Sequence, residues 1–168
     1  SAGASRFVFE DTQRIGAATV HFGRIEQGTL TVEMELNIAI DPAREDTQRN
    51  HTATHLLQWA LQQVLGAHAH QEGSLVTADY LRFDFTHPKA LTAEQIHEVE
   101  KRVREQIAAA APVSFRVMPT GEARKLGAMA LFSEKYGDNV RVLAIGAASQ
   151  DTLEEAFSRE FCGGTHVH

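Results

Sequence analysis

TQRNHTATHLLQWALQQVLG, residues 47–66, is the stretch on which the fold reading turns. Leu56, Leu57, Trp59, Ala60, Val64 and Leu65 recur at helical spacing and form one apolar face. Thr47 or Asn50 is the expected cap, and Gly66 the stop. On that helix His51 and His55 stand at i and i+4, which puts their Cβ atoms about 5–6 Å apart and within reach of one cation. Two readings of the pair stay open here: half of a metal site, or two capping or partly buried histidines at the start of an amphipathic helix. Position 52 is Thr, whereas a zincin protease needs Glu there as its general base, so HTATH is not that protease motif.

Upstream, residues 17–22 and 29–40 read as strands, the second alternating Leu30, Val32, Met34, Leu36, Ile38 and Ile40 at period two. The polar, proline-containing run 41–46 is the expected domain boundary. Downstream, 80–85 reads as a strand with Leu81, Phe83 and Phe85 on one face. Thr92-Ala93-Glu94-Gln95 is a capping box that opens a second long helix, with Ile96, Val99, Val103 and Ile107 as its stripe and Pro112 beyond its end. Residues 113–118 and 139–145 read as further strands flanking a short helix near 122–126. The acidic run 150–159 reads as a surface insertion of helical character. The class is α+β.

Length and composition set the outer bounds. The 168 residues allow one domain, or one and part of a second, at about 150 residues each. Twenty-two acids against sixteen Lys and Arg give −6, and the first fifty residues carry five Arg against eight acids, so no basic half hides behind the average. Any nucleic-acid contact must therefore be local. A single cysteine excludes an intrachain disulfide framework and fits a reducing, cytoplasmic setting. No apolar run approaches the roughly 18 residues of a membrane span, and no signal-peptide pattern opens the chain, so a membrane partner is not expected. The opening Ser1-Ala2-Gly3-Ala4-Ser5, without an initiating Met, and an end two residues after His166 are expected of a piece excised from a longer protein.

Cys162-Gly163-Gly164-Thr165-His166 supplies a thiolate and an imidazole four residues apart, with glycines that let a tight loop aim both at one point. The bland alternatives are a buried cysteine and a glycine turn. Joined with His51 and His55, the two would complete a tetrahedral set of three nitrogens and one sulfur, which suits zinc over magnesium or calcium. Spacing alone does not show that the two pairs meet. A closed four-ligand set is usually structural, whereas catalytic zinc keeps a position open, and the sequence leaves both readings standing. His21, His68, His70, His87, His97 and His168 read as surface residues.

The blocks at residues 50–57, 71–76, 81–85, 127–137 and 162–166, in that order, resemble the editing domain of bacterial alanyl-tRNA synthetases over almost the whole chain. Threonyl-tRNA synthetase editing domains share HxxxH and CxxxH but are less similar at the intervening blocks. Asp11-Thr12 and the strands of 16–28 resemble the small β-barrel that precedes the editing domain. Ser133 departs from the Gly usual in the family, and 150–159 has the look of an insertion.

The resemblance implies an antiparallel sheet packed with two long helices at 47–168, preceded by a partial small β-barrel at 1–46. It implies a deacylase with one Zn2+ per chain on His51, His55, Cys162 and His166. The substrate implied is tRNA(Ala) mischarged with serine, and also with glycine; the remaining domains of the parent synthetase are the other partners. An apolar pocket cannot strongly reject an isostere that merely adds a hydroxyl, so a second, hydrolytic site must sort the products.

Thr54, Gln71 and Ser74 match family positions that line the pocket. Thr54 has the alternative of bonding its own backbone, and Ser74 that of a simple turn. Arg82 reaches the terminal adenosine or phosphate, or else pairs with Asp84. Gly163 and Gly164 present N–H groups to an oxyanion, or serve only the turn. Cys162, Thr54 and Gln71 are the candidate catalytic residues. In the favoured mechanism zinc activates a water, or holds the substrate's amino or hydroxyl group while a water attacks the ester. In the rival mechanism Cys162 is itself the nucleophile. Residues 121–141 form a patch of only +1, from Arg124, Lys125, Lys135 and Arg141 against Glu122, Glu134 and Asp138. A freestanding trans-editing deacylase and a zinc-stabilised RNA-binding module without catalysis are the alternatives.

Overall fold

Glycine and proline mark most of the element boundaries in the structure, a computed structural model that describes residues 5–130 and 136–167. Two compact units result, Ser1–Ala39 and Ile40–His168. The first unit is an antiparallel hairpin of β1 (Arg6–Ile15) and β2 (Ala18–Gln27). Its two-residue turn begins at Gly16 with φ +61°, a left-handed conformation that glycine adopts without steric cost. No closed barrel forms among the described residues.

The strand expected over 29–40 is absent: these residues are irregular and unpaired in any described sheet, with Val32 93% and Ile40 72% exposed. Alternation selects a face, but a strand also needs a neighbour to receive its backbone hydrogen bonds, and none is in register here. β1, by contrast, has weak alternation and is held by pairing with β2.

The second unit opens with α1 (Ala43–Leu65), which begins before the expected cap positions. Asp41 Oδ1 accepts the Ala43 N–H at 2.9 Å, and Pro42 has no donor to leave unpaired, so Thr47 and Asn50 fall inside the helix. Gly66, at φ +107°, ends it as expected. The hairpin β3 (Gln71–Val76) and β4 (Leu81–Phe85) follows, then α2 (Ala93–Ala108) with its reciprocal Thr92–Gln95 capping box. β5 (Val113–Pro119), α3 (Thr120–Lys125), β6 (Asn139–Ile145) and β7 (Ser158–Phe161) complete the unit, and the strands form an antiparallel sheet in the order β5-β6-β7. The fold is α+β, as the sequence implies.

Two apolar clusters hold these layers. Ala60 and Leu61 of α1, Ala69 of the connection to β3 and Val99 of α2 pack with Trp59, Phe83, Phe85 and Val103. Met118, Val142, Ala144, Leu153, Ala156 and Phe161 form the other. The second cluster corrects the reading of 150–159 as a surface insertion. Glu154 and Glu155 face solvent in a single 3-10 turn, but Leu153 is fully buried and Ala156 nearly so. The acidic composition hid an anchor that fixes the strand leading to Cys162. Residues 131–135 lie outside the described residues, and with them Ser133 and the Glu134 and Lys135 of the charge patch.

Candidate metal centre

Helical spacing on α1 brings His51 and His55 together, with ring centroids 5.5 Å apart. The other pair arrives from β7, which hands the chain to the Cys162–His166 loop. Arg141 on β6 clamps that loop. Its carbonyl accepts the Cys162 N–H at 3.0 Å, its Nη1 donates to Cys162 O and Gly164 O at 3.2 and 2.6 Å, and its guanidinium lies 4.0 Å over the Phe115 ring. α1 holds the loop from the opposite side: Gln48 Nε2 donates to Thr165 Oγ1 at 3.0 Å, and Thr52 Oγ1 accepts the Val167 N–H at 3.2 Å. Gly164 is sterically required, because a Cβ there would lie 2.0 Å from His51 Cε1, whereas one at Gly163 would meet nothing within 4 Å.

The four donor residues His51, His55, Cys162 and His166 thus meet, with ligand atoms all within 4.8 Å of one another. Cys162 Sγ is 3.2 Å from His166 Nε2 and 3.5 Å from His51 Nε2. A tetrahedral zinc site with bonds of about 2.3 Å to sulfur and about 2.0–2.1 Å to nitrogen has S–N edges of roughly 3.6 Å. The donor chemistry and the spacing both fit zinc.

The electrostatics prepare the donors unequally. Burial pushes the Cys162 thiol up, but hydrogen bonding to His166, His51 and His55 outweighs it and brings the pKa down to about 3, so the sulfur is a thiolate. Burial works against charge on His55, yet the Glu160 carboxylate and the Cys162 thiolate raise it to about 10. Burial lowers His166, with the charges of His55 and His51 adding to the effect against the pull of Cys162.

Glu160, on β7 and only 8% exposed, is the residue that sequence reasoning missed. Its Oε2 lies 2.7 Å from His55 Nδ1, a close ion pair whose angle departs from a straight hydrogen bond. The available signal was periodicity: two residues before Cys162 on extended chain, it faces the same side.

A cavity of about 550 Å³ opens against His51, His55 and Cys162. Thr54, Gln71, Ser74, Gly163 and Gly164 line it, as do Gln58, His70, Arg124, Met129 and Glu160. Gln71 and Ser74 are three apart and would point to opposite faces of a regular strand. A register irregularity between Gln71 and Gly73 turns them to the same side, where Gln71 Nε2 donates to Ser74 Oγ at 3.1 Å. Thr54 Oγ1 donates to His51 O at 2.6 Å, the backbone bond its position on the helix allowed, leaving the oxygen free only to accept.

Arg82 is not brought to the cavity; it is exposed, and its Nε donates to Asp84 Oδ2 at 3.2 Å. Gln58, 2% exposed, donates through Nε2 to Ala69 O at 2.7 Å. Of the histidines read as surface residues, His70 differs from that expectation, whereas His68 is exposed as expected. His70 is half-buried in the cavity lining, and His68 Nε2 lies 2.9 Å from His87 Nδ1, a pairing that 19 residues of separation conceal. His168 lies outside the described residues.

No family model matches the chain. Its sequence is 53% identical over 167 residues to the alanine–tRNA ligases of Burkholderia orbicola and Burkholderia cenocepacia, and 54% identical over 166 residues to that of Burkholderia vietnamiensis. Each alignment takes in 98% of this chain and 18% of the relative, so the chain spans less than a fifth of the length of the curated relatives it matches. The chain is thus similar, over nearly its whole length, to one segment of the alanine–tRNA ligases.

Proposed function

We propose that the chain hydrolyses the ester joining serine, and also glycine, to tRNA(Ala), as the editing part of an alanine–tRNA ligase. One observation carries this reading: three members of a zinc-suited set of four donors, His51, His55 and Cys162, line a cavity whose other walls present hydrogen-bonding side chains. Homology to a segment of alanine–tRNA ligases supports it. In this reading residues 47–168 are the deacylase and 1–46 the barrel-type segment, working in the cytoplasm beside the synthetase's other domains. No described helix is long and apolar enough to cross a membrane.

Zinc on His51, His55, Cys162 and His166 supplies Lewis-acid polarisation for ester hydrolysis. The chain's own groups do the sorting. Thr54 Oγ1 accepts a hydrogen bond from a seryl hydroxyl or the substrate ammonium, and the Gln71–Ser74 pair bounds the space left for the side chain. Gly163 and Gly164 line the cavity where backbone N–H groups serve a developing oxyanion. Arg124, exposed at the same cavity, supplies a cation for the nucleic-acid backbone. Cys162 acts as a ligand rather than a nucleophile, because a thiolate surrounded by three imidazoles is committed to the metal. A structural reading is favoured by one observation, the presence of four protein donors, since a closed shell is the usual structural arrangement. In that reading the chain is a zinc-stabilised RNA-binding module.

Hydrolysis of seryl-, glycyl- and alanyl-tRNA(Ala) by the purified chain tests the proposal. Rapid loss of the seryl and glycyl esters with the alanyl ester spared is the expected result. Equal rates on all three, or none on any, reject it.

A further inference from the structure

Glu160 is a buried carboxylate whose nearest described cationic partner is His55, and nothing in an apolar core asks for it. Burying a carboxylate against an imidazole is costly, and replacing a buried pair of this kind with apolar groups is often neutral or stabilising. Its burial two residues before Cys162 therefore calls for a reason. We infer that Glu160 is a positioning residue for the metal: it holds the His55 proton on Nδ1, so that Nε2 faces the ion.

This assignment rests on reading the four donors as a zinc site. The geometry supports it atom by atom. Glu160 Oε2 lies 2.7 Å from Nδ1, and a lone pair facing the carboxylate at that distance would be repelled, so Nδ1 is the protonated nitrogen. The remaining nitrogen, Nε2, is buried among the other donors, and neither ring nitrogen makes a well-aligned hydrogen bond among the described residues. The carboxylate is itself held, because Ser158 Oγ donates to Glu160 Oε1 at 3.4 Å. His166 is arranged the same way with a neutral partner: its Nδ1 lies 3.3 Å from Thr52 Oγ1 and its Nε2 faces Cys162 Sγ at 3.2 Å. Both rings thus turn the same nitrogen inward.

Partners of this kind typically change metal affinity about 10–100-fold when removed. Glu160→Gln keeps the shape and removes the charge, while Glu160→Asp keeps the charge on a shorter arm. Zinc dissociation constants measured by chelator competition are expected to rise about 10–100-fold in Glu160→Gln and less in Glu160→Asp. Unchanged affinity in Glu160→Gln overturns the inference. Should that variant fail to fold, nitrogen-15 NMR of zinc-loaded wild-type protein decides the point. A His55 ring protonated at Nδ1 is expected, and one protonated at Nε2 overturns the inference. Failure of the wild-type chain to bind zinc is a different outcome, which rejects the metal reading itself.

Discussion

Gly163 and Gly164 are adjacent and chemically identical, yet only one of them is sterically required. A methyl group on Gly164 would sit 2.0 Å from His51 Cε1, and one on Gly163 would touch nothing within 4 Å. Gly164→Ala is therefore expected to weaken zinc binding on the order of 10–100-fold, the scale for losing a ligand's support, while Gly163→Ala leaves it unchanged. Parallel chelator titrations check the contrast. Protons compete with zinc at His55. Its pKa of about 10 means that it enters binding protonated at neutral pH, whereas Cys162, at about 3, does not. Binding removes the Nε2 proton, so affinity rises with pH up to about 10, and near pH 7 close to one proton is released per zinc. Calorimetry in buffers of differing ionisation enthalpy measures that number. The four donors were legible in sequence because each pair is local, at i and i+4. Glu160 and Gln58 were not read: the i−2 spacing of Glu160 to Cys162 gives its face but not its burial or its partner more than a hundred residues away, and a place in a cavity wall, as for Gln58, has no local signature.

At the scale of elements, periodicity was informative where packing followed it and misleading where pairing did not. The Thr92–Gln95 box reads directly from four residues, because both of its bonds form within one turn. Thr92→Ala is expected to lower stability by about 1 kcal/mol, seen as a reduced thermal midpoint. Leu61, on α1 and 2% exposed, belongs to the cluster that also holds Val99 of α2. Leu61→Ala is expected to cost about 2–5 kcal/mol, measured by urea unfolding. Residues 29–40 show the converse, with ideal alternation and no partner strand, and the buried Leu153 shows that an acidic run can carry a core anchor. The irregularity at Gln71–Gly73 belongs to the same class: a shift of one residue puts Gln71 and Ser74 side by side, which no alternating pattern announces.

The whole chain carries −6, so under the proposed function its affinity for tRNA would depend on a few exposed cations, Arg124 at the cavity and its sequence neighbour Lys125 among them. Arg141 is engaged with the loop carbonyls and Phe115 and contributes structure instead. Two phosphate contacts correspond to a slope of log affinity against log salt of about −1.4 to −1.8, which filter binding at several salt concentrations tests. The central claim is that metal and cavity form one hydrolytic centre. It is tested most directly by measuring zinc content, circular dichroism and seryl-tRNA(Ala) hydrolysis on one sample before chelation, after it, and after zinc is returned. The account expects one zinc per chain, hydrolysis lost on chelation while the fold persists, and recovery with one equivalent of zinc. A chelated, zinc-free chain that hydrolyses the ester undiminished, or one that unfolds when the metal leaves, would contradict it.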